Sequence, residues 1–113
     1  MSFIRDLRRR GYVLVISSIH REERFKPYTR SAILRLLSRY DVTVCNVDVE
    51  AVRAEAENYL SRYKLSYSRL LDVMHLVVAR RCGCKYIAAI DRFIRSHSRG
   101  FGLTYINYYT GIP

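Results

Sequence analysis

The segment from Ser66 to Asp91 constrains the fold most, because it joins a nearly all-apolar helical stretch to a short apolar strand that ends in an acid. Eight apolar side chains between Leu70 and Ala79 leave almost no polar face, which predicts a helix buried inside the protein. Gly83 is expected to form a tight turn. The run YIAAI, residues 86–90, has the length and composition of a fully covered parallel strand.

Two acids in this segment are candidate functional residues, Asp72 in the predicted helix and Asp91 directly after the predicted strand. An ionised carboxylate is costly to bury unless it is paired, hydrogen-bonded or bound to a metal. Ligands bind at the carboxyl ends of the strands in open parallel sheets. We therefore expect Asp72 and Asp91 to converge there. Two simpler roles stay open: Asp72 pairs with Arg69 or His75 on its own helix, and Asp91 caps the turn that follows it.

Three further apolar runs predict strands at residues 12–17, 42–47 and 103–107. Gly11 is the expected left-handed end of a short N-terminal helix, and Asp48 is the expected N-cap of a helix that runs to Tyr63. Alternating strands and helices predict an α/β fold, a three-layer sandwich with a mostly parallel four-stranded sheet. The 113 residues are expected to form a single domain, residues 1–113.

The chain is strongly basic, with a net charge of +10, a pI near 10.0 and 17 arginines among its 20 basic residues. This charge favours a polyanionic partner, most simply nucleic acid, and a charge bias of the source proteome stays open as the alternative. The arginine excess and the absence of glutamine indicate a thermophilic origin. No apolar run approaches membrane-spanning length, and the start MSFIRDLRRR lacks the apolar centre of a signal peptide, so we expect a cytoplasmic protein without a membrane partner.

The order and spacing of these elements resemble a PIN domain, the fold of many prokaryotic toxin ribonucleases and of several RNA-processing nucleases. The similar segments lie between about Phe3 and Asn107 and read VISSIHREE, NVDVEAVRAEAENYLSRYKLS, YSRLLDVMHLVVAR, YIAAIDRFI and GLTYIN. One family feature has no counterpart. A PIN domain opens with a strand that ends in Asp, whereas this chain begins at what resembles the following helix, or else places Ser17 and Ser18 where that Asp would stand.

The resemblance implies a cluster of acids that binds Mg²⁺ or Mn²⁺ and supports hydrolysis of an RNA phosphodiester. The catalytic and metal-binding residues that it implies are Glu23, Asp72 and Asp91, with Glu22 as the alternative to Glu23. Oxygen ligands of this kind suit hard divalent cations. Because one family acid is missing, the implied function is an endoribonuclease of reduced activity. The alternative is a catalytically degenerate module that binds RNA or protein.

Basic residues are expected to surround the acids and to hold the phosphate backbone of single-stranded RNA without reading its sequence. The candidates are Arg21, Arg24, Arg92, Arg95 and Arg99. Tyr28, Phe93 and Phe101 are candidates for stacking on unpaired bases, or else for packing in the core.

Two protein partners are also expected. The resemblance to toxin ribonucleases implies an antitoxin that covers the acidic pocket. A sheet that lacks its usual central strand leaves unpaired backbone groups, which favours a homodimer.

Overall fold

This computed structural model of the protein describes residues 2–17, 35, 42–89 and 91–107. The chain divides into two compact units, Met1–Asn46 and Val47–Pro113. The single domain expected for residues 1–113 stays a prediction.

The first unit contains a short helix and a pair of parallel strands. Helix α1 spans Ser2–Arg9 and buries Leu7. It ends at Gly11, whose φ of +84° is the left-handed conformation expected from the sequence, and the N–H of Tyr12 donates to the carbonyl of Leu7. Strands β1, Leu14–Ser17, and β2, Val42–Cys45, pair in parallel with Leu14 opposite Val42.

The second unit is organised around two packed helices. Helix α2 spans Val49–Arg62, and the carboxylate of its N-cap Asp48 accepts hydrogen bonds from the N–H groups of Glu50 and Ala51. Helix α3 spans Leu70–Arg81 and packs against α2. It begins after a 3₁₀ turn, Tyr67–Arg69.

Helix α3 is the most buried element of the second unit, as the sequence predicts. Six of its twelve residues are buried: Leu70, Val73, Met74, Leu76, Val77 and Val78. Leu71 differs from the prediction because its side chain is 46% exposed. At the end of the helix Gly83 has a φ of +73°, and the N–H of Cys84 donates to the carbonyl of Ala79. This is the expected glycine turn.

A strand–helix–strand segment completes the second unit. Strand β3, Tyr86–Ala89, is followed by helix α4, Arg92–Ser98, then by a 3₁₀ turn, Arg99–Phe101, and by strand β4, Thr104–Asn107. The two strands are parallel, with Tyr86 opposite Thr104, and α4 packs on both of them. Ile106 of β4 lies in the core with Val52 of α2 and Leu76 of α3.

The predicted three-layer sandwich with a four-stranded sheet is wrong. The described residues form two separate two-stranded sheets, β1 with β2 and β3 with β4, and no strand pairing joins them in the described part of the chain. The α/β composition and the parallel pairing are confirmed. The error has a physical cause, since apolar patterning identifies a strand but not the strand to which it will hydrogen-bond.

Candidate functional site

Asp91 stands at the carboxyl end of the β3 segment, where it caps α4. Its Oδ1 atom accepts hydrogen bonds from the N–H of Phe93 at 2.6 Å and from the N–H of Ile94 at 3.4 Å. This is the capping role that the sequence left open. Among the described residues, no hydrogen bond reaches its Oδ2 atom, so one carboxylate oxygen keeps its acceptor capacity.

Asp72 lies in the first turn of α3, where its Oδ2 atom is 3.5 Å from Nη1 of Arg69. This is the local ion pair that the sequence left open, and its length makes it a weak one. Burial raises the pKa of Asp72, and the negative charge of Asp91 raises it further. Hydrogen bonding to Arg69 and the charges of Arg69 and His75 offset these effects only in part. Asp72 and Asp91 are therefore near enough for the charge of one to act on the other. Their convergence on one bound ligand stays a prediction.

Side-chain contacts link the two acids independently of their charges. The guanidinium of Arg69, which pairs with Asp72, lies 5.0 Å from the centre of the Phe93 ring. The backbone N–H of the same Phe93 donates to Oδ1 of Asp91 at 2.6 Å, a shorter hydrogen bond than the one from Ile94. Arg69 therefore connects the start of α3 to the start of α4, where Asp91 is the N-cap.

The predicted RNA-binding arginines that the structure describes are exposed. Arg92 and Arg95 lie three residues apart on α4, and Arg99 lies in the 3₁₀ turn that follows it. Residues at this spacing share one side of a helix. Within the described ranges none of the three has a carboxylate partner. Arg21 and Arg24 lie outside the described residues.

Glu23, the third predicted acid, and its alternative Glu22 also lie outside the described residues, so the complete acidic cluster remains a prediction. No group of three or more His, Cys, Asp or Glu side chains suited to a metal ion occurs in the described part of the chain. Binding of Mg²⁺ or Mn²⁺ by Asp72 and Asp91 stays a prediction. Magnesium is commonly held by one or two carboxylates together with water and substrate phosphate, and a cation would relieve the repulsion between the two acids.

An aromatic cluster that was not identified from the sequence lies beside the acids. The ring of His97 stacks on Phe93 with centroids 4.2 Å apart, and Nδ1 of His97 is 2.6 Å from the Tyr59 hydroxyl. The ring of Tyr59 also contacts the rings of Tyr63 and Phe101, with centroids 4.6 Å and 4.8 Å apart. Two of these contacts, Tyr59–Tyr63 and Phe93–His97, join residues four positions apart. Side chains at this spacing meet on a helix, so the sequence carried a signal for both contacts.

The predicted base-stacking aromatics have other roles in the structure. The ring of Phe93 contacts both Arg69 and His97, and Phe101 is only 5% exposed. Tyr28 lies outside the described residues. Packing, the alternative left open from the sequence, therefore describes Phe93 and Phe101.

No protein-family model, no curated protein and no solved structure matches this chain. None of the helices in the described residues has the length and apolar character needed to span a membrane.

Proposed function

We propose that this protein is a metal-dependent endoribonuclease in which Asp72 and Asp91 together hold Mg²⁺ or Mn²⁺. The observation that supports the proposal is a chain of contacts between the two acids: Arg69 pairs with Asp72 and lies over the ring of Phe93, whose backbone N–H binds Asp91. The charge of Asp91 also acts on Asp72. Glu23 is the third acid in this proposal, as the resemblance to PIN domains implies.

Asp91 and Arg69 have different roles in the proposed mechanism. Two backbone N–H groups hold Asp91 in one orientation and leave its Oδ2 atom available as a ligand. Arg69 orients Asp72 through a long ion pair that a stronger partner can replace. A bound divalent cation would supply an activated water and would stabilise the charge that develops on the phosphate.

The proposed substrate is single-stranded RNA. The net charge of +10 favours a polyanion, and Arg92, Arg95 and Arg99 are exposed next to the capped acid Asp91. Arginines that contact phosphates position a nucleic acid but do not read its bases. The nuclease is therefore expected to have little sequence preference at these contacts.

RNA binding without cleavage is the second candidate function. It is favoured by the intramolecular partners that both acids already have, Arg69 for Asp72 and two backbone N–H groups for Asp91. A protein of this kind would use the same exposed arginines, and its affinity for RNA would not depend on Mg²⁺ or Mn²⁺.

The proposal extends to partners and location. A toxin-type nuclease needs an antitoxin that covers its acids, and an RNA substrate favours the cytoplasm. We also propose a homodimer, because two-stranded sheets such as that of β3 and β4 leave outer edges that can pair with another copy. A light-scattering mass equal to one chain at micromolar concentration would exclude the dimer.

Thermal unfolding with and without millimolar Mg²⁺ or Mn²⁺ tests the metal site. A ligand that binds only the native state adds about 2.7 kcal/mol to the free energy of unfolding at 100 times its Kd. The stabilisation should be present in the wild type and lost in Asp72→Asn and Asp91→Asn. The matched control is Asp48→Asn, which replaces an N-cap carboxylate of α2 with an equally good cap and should keep the stabilisation.

Cleavage of single-stranded RNA then separates the two candidate functions. Removing an acid that holds the metal should slow cleavage by about 100-fold or more, since metal-ion catalysis supplies several kcal/mol. RNA binding by the wild type with no cleavage in either metal would establish the second candidate and exclude the first.

A further inference from the structure

We propose that the surface at the end of α2 contains a subsite for one unpaired nucleobase of single-stranded RNA. This inference rests on the proposed function, since it assigns a position on the protein to the same RNA substrate. The proposed subsite consists of a cavity, an exposed tyrosine ring and the charged groups around them, all within the second unit.

The cavity lies between the last two turns of α2, the end of α3 and the 3₁₀ turn after α4. Its volume of about 210 Å³ is below the roughly 300–1,000 Å³ of sites for drug-sized ligands, so it suits a single ring system. The residues that line it include Asn58, Tyr59, Arg62, Tyr63, Arg80 and Phe101.

Tyr63 offers the exposed ring in this cavity. Its side chain is 54% exposed, whereas Phe101 is 5% exposed and packs against Tyr59. Tyr59 stands 4.6 Å from Tyr63 and is held by His97 through its hydroxyl, so Tyr63 is supported from one side by a fixed ring. An exposed aromatic ring on a rigid support is what base stacking requires.

The charges around the ring favour a nucleotide. Arg80 and Arg81 share the single carboxylate of Glu55, which also lines the cavity, so these three residues keep a net charge of +1. Arg62 lies 5.8 Å from the centre of the Tyr63 ring, and in the described part of the chain it has no carboxylate partner. A guanidinium next to a stacking ring can bind the phosphate that follows the base.

Asn58 supplies a polar group that can contact the edge of a base. Its side chain is exposed, and the described residues provide it with no hydrogen-bond partner. An amide presents both donors and an acceptor, and unpaired bases in RNA are read on their hydrogen-bonding edges. The Tyr63 ring, the Arg62 guanidinium and the Asn58 amide therefore match three parts of one nucleotide: the face of the base, the phosphate and the edge of the base.

Fluorescence anisotropy with a short labelled oligoribonucleotide tests the subsite in a chelator, where metal-dependent cleavage cannot occur. Tyr63→Ala should weaken binding about 5- to 100-fold, the usual range for loss of one stacked base, and Tyr63→Phe should bind like the wild type. Arg62→Gln should weaken binding and reduce the slope of log K against log salt by about 0.7, as expected for one phosphate contact on a single strand.

Two control variants match these changes in chemistry but not in position. Tyr67→Ala removes a tyrosine that is 61% exposed and does not line the cavity. Arg53→Gln removes an exposed arginine nine residues before Arg62 on α2, which places it on the opposite side of the helix. Both controls should keep the wild-type affinity, and thermal unfolding should show that all five variants remain folded.

The subsite is overturned if Tyr63→Ala binds RNA like the wild type, if Tyr67→Ala weakens binding equally, or if the wild type binds no RNA. It is also overturned if an oligonucleotide without bases binds as tightly as the normal one. Competition by polyglutamate as strong as by unlabelled RNA would assign the cavity to an acidic protein partner instead. Because Asp72→Asn should retain this binding while losing cleavage, failure of the subsite and failure of the nuclease are distinguishable.

Discussion

The hydroxyl of Tyr59 and the Nδ1 atom of His97 lie 2.6 Å apart, and this hydrogen bond joins α2 to α4. His97 in turn stacks on Phe93, whose backbone N–H holds Asp91. A continuous set of contacts therefore runs from the candidate base subsite on α2 to the candidate metal site at the start of α4. All the residues in this set of contacts belong to the second unit.

Tyr59→Phe tests whether this hydrogen bond stabilises the fold. Loss of the hydroxyl leaves a half-buried nitrogen of His97 without its partner, which should reduce the free energy of unfolding by about 0.5–1.5 kcal/mol. Urea denaturation measures the change. Tyr67→Phe is the control, since the described residues provide its exposed hydroxyl with no hydrogen-bond partner. Equal stability of Tyr59→Phe and the wild type would contradict the prediction.

The pH dependence of Asp72→Asn should report the repulsion between the two acids. Burial and the charge of Asp91 raise the pKa of Asp72 above its ordinary value of 3.8. A raised pKa means that the protonated acid contributes stability below about pH 3.8 and that this contribution is lost as pH rises through the raised pKa. Without metal, Asp72→Asn should therefore unfold at a higher temperature than the wild type at neutral pH.

The difference in unfolding temperature between Asp72→Asn and the wild type should depend on pH and on Mg²⁺. The difference in unfolding temperature should disappear at low pH, where Asp72 of the wild type is protonated. Millimolar Mg²⁺ should reduce or reverse it at neutral pH, because only the wild type keeps both ligands. A variant that is less stable than the wild type at neutral pH without metal would show that the Arg69 ion pair outweighs the repulsion.

Substitutions of Asp91 should separate its capping role from its proposed metal role. Asp91→Asn keeps a side-chain oxygen that accepts from the N–H groups of Phe93 and Ile94, so its stability without metal should be close to that of the wild type. Asp91→Ala removes the cap and should cost about 1 kcal/mol. Urea denaturation in a chelator measures both. A large loss in Asp91→Asn would indicate that the charge itself is needed for folding.

The exposed arginines after Asp91 should contribute to RNA affinity through phosphates alone. Replacing Arg92, Arg95 and Arg99 one at a time with Gln should weaken binding to all RNA sequences to a similar degree. Each change should reduce the slope of log K against log salt by about 0.7. Anisotropy titrations over a range of salt concentrations measure this, with Arg53→Gln as the control. Slopes that do not change would exclude a phosphate contact at that arginine.

Much of the second unit could be predicted from local pattern. Asp48 and Asp91 could be expected to cap helices, because Asp is a strong helix N-cap and each stands directly before a predicted helix or turn. The turn at Gly83 followed from the same kind of local rule. The local ion pair of Asp72 with Arg69 could be expected as well, since the two residues are three positions apart on one helical segment.

The aromatic cluster and the sheet pairing could not be predicted in the same way. Tyr59 and His97 are 38 positions apart, and nothing in either local segment indicates the other as its hydrogen-bond partner. The four strands were located correctly from their apolar runs, but their pairing into two sheets was not. Leu71 was expected to be buried with its neighbours, yet its side chain is 46% exposed. Strand β3 was expected to be fully covered, and this prediction is wrong because none of its four residues is buried and Tyr86 is 41% exposed.

The sequence by itself determined the approximate positions of the described strands and helices, the aspartates that cap two of the helices, and the acid that follows the apolar run of β3. Short-range hydrogen bonding and apolar periodicity decide these features, and both are properties of a few consecutive residues. Only the tertiary structure decided that Arg69 contacts both Asp72 and Phe93, that Tyr63 remains exposed beside Tyr59, and that β3 pairs with β4. These depend on how distant segments pack, which local sequence does not specify.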